Sequence, residues 1–315
     1  MSRGAELGRR LRDRDRTAAP AVLNLVESRT PTDRREVDAL LGAVGAEATG
    51  HVVGVTGPPG AGKSSLLSAL LARWRELERS VAVLAVDPSS RRSGGALLGD
   101  RARIAVDPGD GDVFIRSTAA GETLGGLAPA TRAAATALVA AFDLVVIETV
   151  GVGQSETDVA EVADTVVVVV QPGSGDVLQF LKAGIMEIPD VLVVTKADLG
   201  QIALRARRDL SAALRSLGAR DVPVVAVSSL PPPSGIDELV SAIDAHRERV
   251  DLPACRLHAR RRHALADFAA EHGERGLRAL GGRRAAARWL EDQDAALDVA
   301  SLTRALEARA AEAAR

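Results

Sequence analysis

Apolar residues along this chain follow two different periods, and the change between them falls near residue 51. Up to about residue 48, the stretches "LGRRLRDRD", "AAPAVLNLVES" and "TDRREVDALLGAVG" place apolar residues at helical spacing, punctuated by Pro20 and Pro31. From His51 onward, short β-branched runs alternate with amphipathic segments: "HVVGVTG", "SVAVLAVD", "DVFIRS", "DLVVIET", "DTVVVVVQ", "DVLVVTK" and "VPVVAVSS". Successive positions in these runs are apolar, which predicts strands buried on both faces, hence a parallel sheet covered by helices on each side. "PPPSG" at 231–235 reads as a stiff turn before the helical pattern "IDELVSAIDAHRER". Beyond Leu252 the composition shifts to Ala and Arg with no strand-like run, and 254–272, 283–291 and 294–313 read as helices. The expected architecture is α/β: a helical extension over 1–48, a mostly parallel sheet flanked by helices over 49–250, and a second helical extension over 251–315.

Composition narrows the class. The chain has 315 residues, 46% of them hydrophobic, which suits one α/β domain of about 200 residues with appendages. A formal net charge of −2 gives no bulk electrostatic case for nucleic acid or for an anionic membrane. With a single cysteine, Cys255, an intrachain disulfide is impossible and cysteine-rich zinc sites are excluded. The start, "MSRGAELGRRLRDRDR", carries charge throughout and has no apolar core of a secretory signal. The longest apolar runs, such as "VVVVV" at 166–170, are too short to span a bilayer. These features lead us to expect a soluble, cytoplasmic protein. One count adds more: of 40 basic residues only Lys63, Lys182 and Lys196 are lysine. In a chain that uses arginine almost everywhere else, these three mark candidate sites where a compact ammonium cannot be exchanged for a planar guanidinium.

The first lysine sits in a recognisable loop. "GVTGPPGAGKSSLLSALLARW" places Gly57, Gly60, Ala61, Gly62, Lys63, Ser64 and Ser65 between a predicted strand and a predicted helix, the context a phosphate-binding loop requires. Its glycines let backbone N–H groups approach phosphates, and the helix N-terminus favours the anion. Lys63 is placed to reach the β- and γ-phosphates and the Ser64 hydroxyl to bind Mg²⁺. A later strand ends in Thr195, Lys196, Ala197 and Asp198. A carboxylate at 198 can accept from guanine N1–H and the 2-amino group, which adenine cannot supply, while the Lys196 stem packs along the base. GTPases usually carry Asn where Thr195 stands, so the side chain expected to tie this loop to the phosphate loop is missing. Ser228 and Ser229, in "VVAVSSL", can supply a backbone contact to guanine O6.

Acidic residues cluster at other strand ends. Glu148 lies at the end of "DLVVIET", one residue before Thr149, and precedes Gly151, the place of the Walker B carboxylate and the γ-phosphate-sensing switch II. Many GTPases carry Asp there and a Gln just after the glycine. This chain has Glu148, then Val152, and its nearest glutamine is Gln154, which predicts slow hydrolysis by the chain alone. The long polar stretch "VDPSSRRSGGALLGDR" at 86–101 carries Asp87 near its start and Asp100 near its end. Together with Glu148, these can hold Mg²⁺ directly or through water, and Gly94 and Gly95 let the stretch reorganise as a switch I.

The motifs "VTGPPGAGKSSL", "VAVLAVDPSSRRSGGALLGDR", "IETVGVGQSE" and "TKAD" resemble the P-loop GTPases that accompany methylmalonyl-CoA mutase, also called arginine/ornithine transport kinases. The resemblance runs from about residue 20 to about 250. It implies a P-loop GTPase fold, GTP/GDP and Mg²⁺ as ligands, and a chaperone that gates adenosylcobalamin loading and release on a cobalamin-dependent acyl-CoA mutase. It also implies a homodimer formed through the C-terminal helices. "PGSGDVLQFLKAG" at 172–184 resembles the family's switch III, with Asp176, Gln179 and Lys182 matching and Val177 where Glu is usual. On this basis Lys63, Glu148, Gln154 and Lys182 are the candidate catalytic residues. Two relatives in function stand beside this reading: a metal-insertion GTPase for nickel or zinc, which would want His or Cys clusters, and a transport-linked protein kinase, for which no acceptor feature is present. A non-enzymatic scaffold would not need the phosphate loop. The motif Asp-x-His-x-x-Gly of cobalamin binding is approached by "DAHRER" at 244–249, but Arg249 replaces the glycine and His246 falls in a helical pattern.

Overall fold

Valine dominates the strands because the inner ones are covered on both faces. The computed structural model describes residues 2–28, 30–45, 48–87, 104, 107, 109–119, 129–149, 159–173 and 189–313, without the side chains of 87 and 119. Seven strands form one sheet: β1 (His51–Thr56), β2 (Val81–Asp87), β3 (Val113–Ala119), β4 (Leu144–Thr149), β5 (Thr165–Val170), β6 (Val191–Val194) and β7 (Val224–Ala226). Their order is β3-β2-β4-β1-β5-β6-β7, and every pairing is parallel. β1 lies at the centre, between β4 and β5, so the chain leaves it where the order of connections reverses, the place where open parallel sheets bind ligands.

The two faces are covered by different helices. On one face, Val52, Ile147 and Val168 share a core with α1 (Arg3–Arg12), α2 (Ala19–Glu27), α3 (Pro31–Val44), α5 (Pro129–Leu138) and α6 (Gln201–Ser216). The N-terminal helices therefore bury their apolar residues in the same core as the sheet. On the other face, Val53, Val55 and Val146 pack against α4 (Lys63–Glu76), with Trp74 fully buried, and α7 (Ile236–Arg249). The helical period read in 1–48 and the strand period read from His51 are both present in the fold.

Past the sheet domain come α8 (Leu252–Ala279), α9 (Arg283–Glu291) and α10 (Val299–Ala313), which enclose a core of their own around Leu265, Phe268, Leu290, Leu302 and Leu306. The sequence places the last helix at 294–313; it begins at Val299 because the Asp298 carboxylate accepts from the Ser301 amide and caps it. α8 is longer than its apolar pattern predicts and kinks at Gly273, where φ is 58°. Among the described residues no helix is long and apolar enough to cross a membrane.

A polar chain runs along the amino edge of the sheet. His51 Nε2 lies 2.8 Å from Thr165 Oγ1, which lies 2.7 Å from His246 Nδ1, and His246 Nε2 is 3.1 Å from Asp190. His246, read from sequence as an ordinary helix residue, thus has a structural bonding role. His51 is fully buried, and burial, more than the charges around it, pushes its pKa down to about 4; burial does the same to His263 on α8. Both rings are neutral in the folded chain and free to protonate when unfolded. Their contribution is whole above about pH 6.5 and is lost as pH falls toward 4, at about 3 kcal/mol each. Thermal melts between pH 7.5 and 4.5 are expected to show this acid loss, and His51→Gln to show a shallower one. Equal slopes for the two chains would mean that His51 does not carry the proton linkage.

Candidate functional site

The carboxyl edge of the sheet begins with a loop whose backbone no side chain could follow. Gly57 has φ 147°, and a Cβ there would lie 2.0 Å from the carbonyl oxygen of Val169 on β5. Gly62, at φ 89°, caps α4 in the left-handed region. The loop from Gly57 to Gly62 therefore passes tightly over β5 and delivers Lys63, Ser64 and Ser65 to the first turn of α4. Gly60 is also at positive φ, Ala61 is fully buried and Ser65 is exposed. Lys63 is 8% exposed, and its Nζ donates to the carbonyls of Gly57, at 2.8 Å, and Pro58, at 3.2 Å. The ammonium is thereby held over the loop, opposite the helix N-terminus, where a phosphate would meet both.

Ser64 Oγ donates to Glu148 Oε1 at 3.1 Å. Glu148 points to the α4 face from the penultimate position of β4 and is 3% exposed. Two oxygen donors from adjacent elements, one a buried carboxylate, match the chemistry of a hard divalent cation. Asp87 closes β2, with its side chain outside the described residues, and Asp100, Gln154 and Lys182 lie outside them altogether, as do 174–188.

The loop over 195–198 is built differently from its sequence expectation. Thr195 Oγ1 donates to the carbonyl of Ala61 at 2.6 Å and lies 3.1 Å from that of Val170. The tie to the phosphate loop expected to be lost with Asn is thus made by threonine: its hydroxyl, one atom closer to the backbone, still reaches because β6 lies against β5 beside the loop. Lys196 follows in the left-handed region, φ 54° and ψ 42°, uncommon for a residue with a side chain. Its Nζ donates to Gln171 Oε1 at 2.5 Å. Asp198 is exposed, and Ser228 Oγ donates to its Oδ1 at 2.8 Å, leaving the other oxygen toward solvent. Ser228 is itself fixed by paired backbone bonds with Ser234, so the 228–234 turn is closed. Sequence reasoning gave Ser228 and Ser229 a backbone contact with the base. The structure gives Ser228 a side-chain role in aiming Asp198, and places Ser229 half-buried beside it. Nothing in the spacing of the two motifs signals that contact.

Among the described residues, Glu271, His272 and Glu307 have potential metal-ligand atoms within 4.8 Å of one another. They belong to α8 and α10, not to the strands and loops of this edge, and His272 already bonds Glu307 at 3.2 Å.

A central strand that runs into a glycine loop and the N-terminus of a helix, in an all-parallel sheet, defines a P-loop nucleotide-binding protein. Comparison with known proteins narrows this. The family model of the methylmalonyl-CoA mutase-associated GTPase MeaB matches residues 19–277, and the chain belongs to that family. A probable GTPase of Mycobacterium tuberculosis is 42% identical over 269 residues, which is 82% of this chain and 79% of that one. A putative GTPase of Pyrococcus abyssi is also 42% identical, covering 83% and 81%. The mitochondrial methylmalonic aciduria type A homolog of Caenorhabditis elegans is 38% identical over 249 residues, 72% of this chain and 62% of that one. Among solved structures, an LAO/AO transport system kinase covers 97% of this chain and 96% of its own at TM-score 0.64 and 28% identity.

Replacing Thr195 with valine keeps the shape and removes the hydroxyl. The buried Ala61 carbonyl then loses its donor, at a cost of about 1–3 kcal/mol. Thr195→Val is expected to lower the denaturation midpoint and weaken GDP binding about tenfold, whereas Thr195→Ser keeps both near the parent. Chemical denaturation and GDP titration test this, and a valine variant that matches the parent in both would show that the tie carries no weight.

Proposed function

We propose that the chain is a GTP-hydrolysing chaperone that gates adenosylcobalamin loading and release on a cobalamin-dependent acyl-CoA mutase, and protects the mutase between turnovers. The observation that carries the GTPase half is the Thr195 hydroxyl on the Ala61 carbonyl, which locks the base-selecting loop to the phosphate loop. Membership of the mutase-associated family supports the other half. In this reading Lys63 neutralises the β- and γ-phosphates, and the amides of residues 60–65 line the phosphates. Asp198, aimed by Ser228, accepts from guanine N1–H and the 2-amino group, and the Lys196 stem lies along the base. Ser64 and Glu148, with Asp87 and Asp100, would hold Mg²⁺, which when bound would offset negative charge on the phosphate oxygens. Gln154 orients the attacking water, and Lys182, with Asp176 and Gln179, links the site to the mutase. The helices over 251–315 serve as a dimerisation arm, and the protein works in the cytoplasm.

Base choice is the first test. Asp198→Ala removes two charge-assisted bonds, each of about 1.5–3 kcal/mol at most. The parent is expected to prefer GDP strongly over ADP in titrations, and the variant to lose most of that preference. A parent that binds both equally would end the guanine reading.

The second test is rate. Turnover by the chain alone is expected at about 10⁻⁴–10⁻² s⁻¹, as in GTPases without a supplied catalytic group. Adding an acyl-CoA mutase loaded with adenosylcobalamin is expected to raise it. Fast turnover alone, unmoved by any such mutase, would remove the chaperone mechanism while leaving the GTPase in place.

A further inference from the structure

The residues of α8 that touch the sheet domain fall on one helical face. Arg256, His263 and Asp267 are spaced seven and four apart, so they stack on one side. Ala264, Leu265 and Phe268 bury into the separate core of the C-terminal helices. The helix is thus a partition, with a polar face to the GTPase domain and an apolar face to its own arm.

The polar face is spent mostly on one short segment. Arg256 donates to both carboxylate oxygens of Asp164, Nε at 2.9 Å and Nη2 at 2.5 Å, and to the carbonyls of Ala48 and Gly50. The Asp164 side chain is 4% exposed and also accepts from the Val52 amide at 2.8 Å. Asp267, farther along the same face, accepts from Arg132 of α5. Residues 159–164 are pressed onto β1 from the other side: a Cβ on Gly54 would lie 2.5 Å from Val159 Cγ2 and 3.0 Å from Ala163 Cβ. This segment therefore sits between the phosphate-loop strand and α8. In the chain it follows 150–158 directly, the stretch whose residues match the γ-phosphate-sensing switch.

We propose that Arg256 is a positioning residue that anchors the downstream end of this switch to the C-terminal arm through Asp164, so that nucleotide state and arm order are energetically coupled through residues 159–164. The proposal rests on the GTPase reading above. Arg256 lies in no nucleotide motif and acts through the segment it holds. Coupling of this kind is reciprocal: if the arm biases the switch, the bound nucleotide biases the arm by the same factor. The buried Asp164 makes the link stiff, because a carboxylate out of water keeps its guanidinium partner in place.

Hydrogen exchange over residues 252–279 of the full chain, saturated with GDP or with a non-hydrolysable GTP analogue, reads the coupling. Exchange in α8 is expected to differ about fivefold or more between the two states, the lower range of allosteric couplings. In the charge-neutral double variant Asp164→Asn, Arg256→Gln, the difference is expected to fall below twofold, with GDP affinity within threefold of the parent. Arg256→Lys, which keeps the charge but not the fork, is expected to fall between. The parent measurement stands by itself if the double variant does not fold. Binding of both nucleotides with identical exchange in α8 would overturn the coupling alone, as would a difference that survives both variants. A chain that binds neither nucleotide would overturn the GTPase reading and the coupling together.

Discussion

The carbonyl of Val169 leaves no room for a side chain at residue 57, and much of the carboxyl edge follows from that contact. Because the loop crosses β5 so closely, its next turns come within reach of β6, and Thr195 can span from β6 to the Ala61 carbonyl. That bond makes two loops separated by more than a hundred residues into one rigid body. Ser228 then extends it to the 228–234 turn by holding Asp198. The preorganisation that selective nucleotide binding needs is thus backbone-led: three strand ends, two hydroxyls and one carboxylate, held by bonds that are each worth only about 1 kcal/mol but share a frame.

The amino edge is organised by the opposite chemistry. There the polar groups are buried and titratable, and they tie strands to the helices that follow. His51 starts β1, Thr165 starts β5 and Asp190 precedes β6, and His246 of α7 joins the last two. Asp164 and Arg256 add α8 to the same edge. Placing protonation-sensitive groups away from the phosphate loop separates fold maintenance from the edge where charged ligands would bind.

What could be read from sequence was what repeats or what is local. The helical period gave the helices, and short β-branched runs apolar at successive positions gave the parallel strands, because burial on both faces removes the alternation of a half-exposed strand. The phosphate loop and the "TKAD" loop were legible because each needs particular residue types at fixed short spacing. What stayed hidden were contacts between motifs. Threonine in place of Asn suggested a lost tie, since a sequence cannot show that β6 brings a shorter hydroxyl within 2.6 Å of Ala61. Ser228 was placed in the right loop with a different atom in play. Arg256 looked like one arginine among many, and only its three backbone and carboxylate partners distinguish it.

The rarity of lysine takes on physical content at the two positions the structure describes. Lys63 is nearly buried, and its ammonium fits between two carbonyls of a single tight loop at 2.8 and 3.2 Å. A guanidinium is planar and wider and directs its donors in a fixed fork, so it could not serve both carbonyls from inside that loop and still face a phosphate. Lys196 meets a different limit. Its backbone is left-handed, which already costs energy, and its exposed side chain ends with Nζ on Gln171 Oε1 at 2.5 Å. A flexible four-carbon stem ending in a point charge does this, and a stiff fork does not. Arg256 and Arg79, by contrast, each use the guanidinium fork on both oxygens of a carboxylate. Lys63 and Arg256 thus differ in the acceptor each meets: two carbonyls of one tight loop for the ammonium, a carboxylate taken by both arms for the fork.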